Sequence, residues 1–125
     1  MEHKTIKGIG GEVHYWISRT TDKPKGTIVF THGLTANHTM YEKQFAYFKD
    51  EYIVILWDVP MHGLSMPYEN FSYENTARDL NKILEQESIE KVSLVGMSMG
   101  GYPSQMFAHL YPEKVQCFIG IDTTP

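Results

Sequence analysis

Four short, mainly apolar runs constrain this chain most: Thr27-Ile28-Val29-Phe30-Thr31, Tyr52 to Trp57, Val92-Ser93-Leu94-Val95 and Val115 to Ile121. A strand with one wet face alternates apolar and polar residues, whereas the first three of these runs suit strands covered on both faces. Segments of helical period separate them. Thr39 and Glu42 have capping-box spacing, and Tyr41, Phe45 and Phe48 follow at i, i+4 and i+7, predicting an amphipathic helix over 39–50. A second helix is predicted from Ser72, with the stripe Tyr73, Ala77, Leu80 and Leu84. A third is marked by Tyr102, Met106 and Leu110 ahead of a stop at Pro112. Buried strands alternating with helices predict the α/β class: a mostly parallel sheet, helices on both faces, and ligands bound beyond the carboxyl ends of the strands.

Upstream, residues 3–19 read as two strands around Gly10-Gly11, with Val13, Tyr15 and Ile17 alternating against His14, Trp16 and Ser18. This hairpin is expected to form a half-exposed antiparallel edge of the sheet. At 125 residues the chain suits a single domain, 1–125. Eleven Lys and Arg against fifteen Asp and Glu give a net charge of −4, which argues against nucleic acid as a partner. Cys117 is the lone cysteine, and its apolar run suggests a small buried core residue. No apolar run reaches the ~18 residues of a membrane span, and the N-terminus has no signal-like apolar core. A soluble, cytoplasmic protein is expected. Scattered histidines and the absence of paired cysteines imply no metal, and no other cofactor is expected.

The chemistry concentrates at Gly96-Met97-Ser98-Met99-Gly100, between the third buried run and the third helix. A serine hydroxyl is a weak nucleophile unless the backbone holds it exposed and a base takes its proton. In a G-x-S-x-G elbow the serine occupies a strained strand-to-helix turn, and Gly96 and Gly100 are the small residues that let strand and helix approach. The first N–H groups of the helix then face the place where an oxyanion would form. Two blander readings compete: a Gly-rich turn with Ser98 as N-cap, or a phosphate-binding loop. Neither G-x-G-x-x-G nor G-x-x-x-x-G-K-[ST] is present.

His32-Gly33-Leu34, at the end of the first buried run, resembles the HG motif of the α/β-hydrolase superfamily. Asp58-Val59-Pro60-Met61-His62-Gly63-Leu64-Ser65, after the second, is similar to that family's D-x-x-G-H-G-x-S loop. Met61 departs from the pattern, standing where the family has glycine. If this position needs positive φ, the loop must strain or turn differently. The resemblance implies an esterase- or lysophospholipase-like serine hydrolase of a small-molecule ester, thioester or amide. It implies Ser98 as nucleophile and the backbone N–H groups of Leu34 and Met99 as oxyanion donors. It gives His32 and His62 structural places alongside Gly33, Asp58 and Gly63.

The family takes its histidine base from a loop after the last strand, and none of His3, His14, His32, His38, His62 and His109 corresponds to it. The resemblance thus implies the N-terminal part of the fold, truncated after the strand that follows the elbow, with the base outside these residues. Some branches place the acid at the end of that strand. Asp122 is therefore a candidate acid, with a turn-forming carboxylate as the alternative. The competing function is a truncated, non-catalytic fragment or interaction module, self-associating through the exposed edge strand Val115 to Ile121.

Overall fold

A computed structural model describes residues 1–124. Strand β1 (Glu2–Lys7) turns back into β2 (Glu12–Ser18), and β3 (Thr27–Thr31) follows. Helix α1 (Glu42–Phe48) leads to β4 (Ile53–Trp57), α2 (Tyr73–Gln86) to β5 (Val92–Met97), and α3 (Gly101–Leu110) to β6 (Val115–Ile121). The six strands form one sheet in the order β1-β2-β4-β3-β5-β6. β1 pairs with β2 and β2 with β4 antiparallel; the remaining pairings are parallel. The expected α/β class is the observed one, a parallel sheet with an antiparallel hairpin at one edge.

Two apolar layers sandwich the sheet. The larger includes Val29, Ile55, Leu80, Leu84, Leu94 and Phe107 beneath α2 and α3; the smaller joins Ile28, Phe30, Val54 and Leu56 to Tyr41 and Phe45 at α1. Helices therefore lie on both faces. The crossover from β3 goes to β4 on one side, while β5 lies on the other, so the strand order reverses at β3. A crevice opens at such a reversal, beyond the carboxyl ends of the strands.

Four expectations need correction. Helix α1 is shorter than 39–50: a 3-10 turn, His38–Tyr41, precedes it, and the cap is Asn37, whose Oδ1 accepts from the Thr39 N–H at 2.9 Å. The Asx cap satisfies the Thr39 N–H, one of the first free donors of this segment, so the capping-box spacing of Thr39 and Glu42 is coincidental. β2 is covered on both faces from Tyr15 onward, because it lies inside the sheet and Trp16 is packed into the smaller layer. The buried face of α3 is Gly101, Pro103, Ser104 and Phe107, while Tyr102 is exposed. Small residues bring this helix close to the sheet, and a search for large apolar residues finds the flank of the face instead. Finally, Cys117 is exposed. Among the described residues β6 has one strand neighbour, β5, and Ile119 and Ile121 are also exposed upon it.

Polar networks fasten the hairpin to α2. The Glu87 carboxylate is almost fully buried and accepts from the Tyr15 hydroxyl (2.5 Å), Lys4 Nζ (2.9 Å) and Arg19 Nη2 (3.2 Å). Burial alone would raise its pKa, but the hydrogen bonds from Tyr15, Lys4 and Arg19 outweigh burial and leave it below the usual 4.5. A depressed folded-state pKa means that the contribution to stability is complete above the unfolded value and is lost as pH falls through the folded one. Thermal unfolding of Glu87→Gln should show a loss of about 1–3 kcal/mol at pH 7. It should also show a shallower acid limb below roughly pH 4.5 than the native chain.

Candidate active site

The three motif-bearing loops meet at the crevice. β5 ends at Met97, and Ser98 begins a single 3-10 turn that becomes α3 at Gly101. Ser98 has φ 51, a left-handed conformation that a non-glycine residue adopts at a cost of ~1–2 kcal/mol, and it is exposed. The approach of strand to helix leaves no room at the flanking glycines. A Cβ on Gly96 would lie 2.5 Å from the Gly100 carbonyl oxygen, and one on Gly100 would collide with the carbonyls of Thr31 and His32. The elbow is thereby pressed against the end of β3. Gly33, in the loop that follows, faces it: a Cβ there would sit 3.5 Å from the Met97 carbonyl oxygen and 3.7 Å from Ser98 Cβ. Leu34, next in sequence, is exposed, whereas the Met99 side chain is buried in the larger apolar layer.

His32 is fully buried, and both ring nitrogens are occupied. Its Nε2 accepts from the Val59 N–H at 3.0 Å, and its Nδ1 donates to the Gly33 carbonyl at 2.8 Å. One tautomer satisfies both bonds, so the ring is neutral with the proton on Nδ1. Burial holds its pKa below the usual 6.5, against the opposing pull of the Gly33 carbonyl. His32 thus staples the loop after β3 to the loop after β4.

Asp58 completes that staple. Its carboxylate is fully buried: Oδ1 accepts from the His38 N–H at 2.7 Å and from His38 Nδ1 at 2.9 Å, and Oδ2 accepts from the Leu64 N–H at 2.9 Å. Trp16 is sandwiched between the imidazoles of His38 and His3, at centroid distances of 3.4 and 4.5 Å. Ser65 donates to the Asp58 carbonyl and accepts from the His14 N–H, which fixes the loop to β2. Gly63 has φ +52, and a Cβ there would strike the Asp58 carboxylate. Met61 also takes the left-handed conformation, φ 72. The departure from glycine at this position is accommodated by strain, not by a different turn.

An apolar pocket of about 390 Å³ opens beside the elbow, walled by Leu34, Met61, Phe71, Tyr73 and Met99. Thr35 and His62 add its polar groups. Phe71 and Tyr73 meet edge to face at 5.7 Å, and Tyr73 continues to Tyr102 at 5.5 Å. Sequence reasoning misses Phe71, Tyr73 and Thr35. Tyr73 reads as part of a helix stripe, and nothing local shows that the start of α2 reaches the crevice. Met97 packs in the smaller layer, away from this lining.

Asp122 stands at the end of β6, exposed and left-handed at φ 50. The turn after it is anchored to α3, with Gln105 Nε2 donating to the Thr124 carbonyl at 2.8 Å and the Tyr102 hydroxyl 3.0 Å from Thr124 Oγ1. Among the described residues the Asp122 carboxylate has neither a hydrogen-bond nor an ion-pair partner. His109 is exposed on α3. No helix among the described residues is long and apolar enough to cross a membrane.

Ser98 thus sits left-handed at a strand-to-helix elbow, with the loop after β3 packed against it where the strand order reverses. The chain belongs to the alpha/beta hydrolase fold family, which matches residues 26–125. It is 32% identical over 103 residues to 3-oxoadipate enol-lactonase 2 of Acinetobacter baylyi, covering 82% of this chain and 38% of that protein. Its fold superposes on the epoxide hydrolase CorEH with a TM-score of 0.89 at 21% identity, over 99% of this chain and 43% of the other. A thermophilic esterase from Thermogutta terrifontis matches with a TM-score of 0.84 at 26% identity, over 99% and 46%. The chain therefore spans about two fifths of the length of such relatives.

The strain at Met61 makes a direct prediction. Xaa→Gly normally destabilises, but at a left-handed residue glycine removes the Cβ clash. Met61→Gly should raise stability in urea by about 1 kcal/mol. A loss of that size would show that packing of the Met61 side chain outweighs its backbone strain.

Proposed function

We propose that this chain carries the nucleophile and oxyanion donors of a serine hydrolase acting on a carboxylic ester, thioester or amide. The observation that carries the proposal is the exposed, left-handed Ser98 between Met99 and the Gly33-Leu34 loop. Ser98 Oγ attacks the carbonyl carbon, and the C=O π pair moves onto oxygen. The N–H groups of Leu34 and Met99 receive that oxyanion, an arrangement in which one donor is worth roughly 3 kcal/mol of barrier. A histidine base takes the Oγ proton and passes it to the departing oxygen, sulfur or nitrogen; water then hydrolyses the acyl-serine by the reverse proton path. Enol-lactonase and esterase relatives support an ester-type carbonyl.

We infer that the base comes from outside these residues. His32 has no free nitrogen, His38 is tied to Asp58, His3 and His14 are paired with each other across β1 and β2 at 2.9 Å, His62 is held at the Pro60 carbonyl, and His109 is exposed on α3. None of the six histidines hydrogen-bonds Ser98 among the described residues. Asp122 is the proposed acid, orienting that external histidine from the end of β6. The uncovered Ile119 and Ile121 on the edge strand β6 are what would favour an interaction module, whereas the left-handed, exposed Ser98 beside the Gly33 loop favours chemistry.

Two measurements test this. A fluorophosphonate should label the isolated chain slowly, at Ser98 only, with Ser98→Ala unlabelled. Labelling complete within minutes would place a working base inside these residues. In a longer homologous chain, replacing the residue aligned with Asp122 by Asn should lower kcat by about 10⁴, the cost of losing the orienting acid of a triad. Near-normal turnover there would remove Asp122 from the mechanism.

A further inference from the structure

The strain in the loop after β4 has a geometric product that the chemistry above does not use. Met61 and Gly63 are both left-handed, at φ 72 and 52, and they flank His62. The His62 N–H donates to the Val59 carbonyl and its own carbonyl accepts from the Ser65 N–H, each at 2.9 Å. The side chain is fixed as well, with Nδ1 3.1 Å from the Pro60 carbonyl oxygen. A carbonyl only accepts, so Nδ1 carries a proton, and the neutral form of the ring has its lone pair on Nε2. Among the described residues nothing donates to Nε2.

This half-buried ring lines the apolar pocket beside the elbow, together with Leu34 and Met99. The other polar side chains of the lining, Thr35 and Tyr73, carry hydroxyls that rotate to donate or accept. Of these three, only the His62 side chain has its orientation tied by a hydrogen bond among the described residues, through Nδ1 at the Pro60 carbonyl. A pocket that is otherwise hydrocarbon and aromatic gives affinity without orientation, and one rigid polar group supplies the orientation.

We propose that His62 Nε2 is a specificity-determining hydrogen-bond acceptor. On this view the substrate is an acyl compound whose hydrocarbon part fills the pocket and whose hydroxyl donates to His62. The inference rests on the reading of Leu34 and Met99 as carbonyl-binding donors, and it deepens that reading by naming the substrate class. His62 acts in binding and takes no part in bond making or breaking.

Short straight-chain methyl ketones test it on the chain itself, since they offer a carbonyl but no leaving group. Matched ketones with and without a terminal hydroxyl are titrated against protein carrying 13C-methyl methionine, with the signals of Met61 and Met99 as readout. For at least one chain length the hydroxyketone should bind roughly tenfold more tightly than its parent. His62→Phe should abolish that preference while the parent ketone still binds; His62→Gln, which keeps an acceptor oxygen, should retain part of it. Thr35→Val and Tyr73→Phe should leave it intact. No preference in the native chain, a preference surviving in His62→Phe, or one lost in Thr35→Val or Tyr73→Phe would each overturn the proposal, as would failure of every ketone to bind. The hydrolytic reading fails separately: if fluorophosphonate never reaches Ser98 while the ketone preference depends on His62, only the catalytic assignment falls.

Discussion

Everything at the crevice depends on one buried charge. The Asp58 carboxylate has no contact with water, and three N–H donors from two different loops compensate it. A carboxylate in that environment is costly unless its acceptor capacity is filled, so the loops after β3 and β4 are held in the one arrangement that fills it. His32 adds the second tie, using one nitrogen for each loop. These bonds tie the two loops together with no ligand present. On the proposed reading, such ties would let the Leu34 and Met99 N–H groups meet a developing charge without reorganising.

The fold was largely legible because it follows from periodicity. Short apolar runs between turn signals suit strands covered twice, as β3 and β4 are, and the spacing of Gly96 and Gly100 suits a place where strand and helix touch. The failures have a common physical origin: they involve surfaces whose partners are remote in sequence. Cys117 looks like core until β6 is seen to have one strand neighbour. The contact face of α3 is built from glycine, proline and serine beside Phe107, which a scan for large apolar side chains passes over. The Asn37 cap was missed because a second serviceable pattern, Thr39 with Glu42, lay two residues away.

At the site, sequence reasoning placed Ser98, Gly33, Leu34 and Met99 together, and the structure puts their loops in contact. It could not find the His38–Trp16–His3 stack or the wall formed by Phe71 and Tyr73, since these join elements far apart along the chain. Met61 is the instructive case. The sequence posed the alternative between strain and a different turn, and only the backbone angle decided it. Strained residues concentrate where the surrounding structure over-determines them, and here Met61 and Ser98 both border the same crevice.

The central claim is that Ser98 and the N–H groups of Leu34 and Met99 converge on one tetrahedral centre. A crystal structure of the chain phosphonylated at Ser98 tests it most directly, because the phosphoryl oxygen stands where the oxyanion would. The account predicts that oxygen at about 2.7–3.1 Å from both the Leu34 and the Met99 nitrogens. A phosphoryl oxygen turned toward solvent, or modification at another residue, would contradict it.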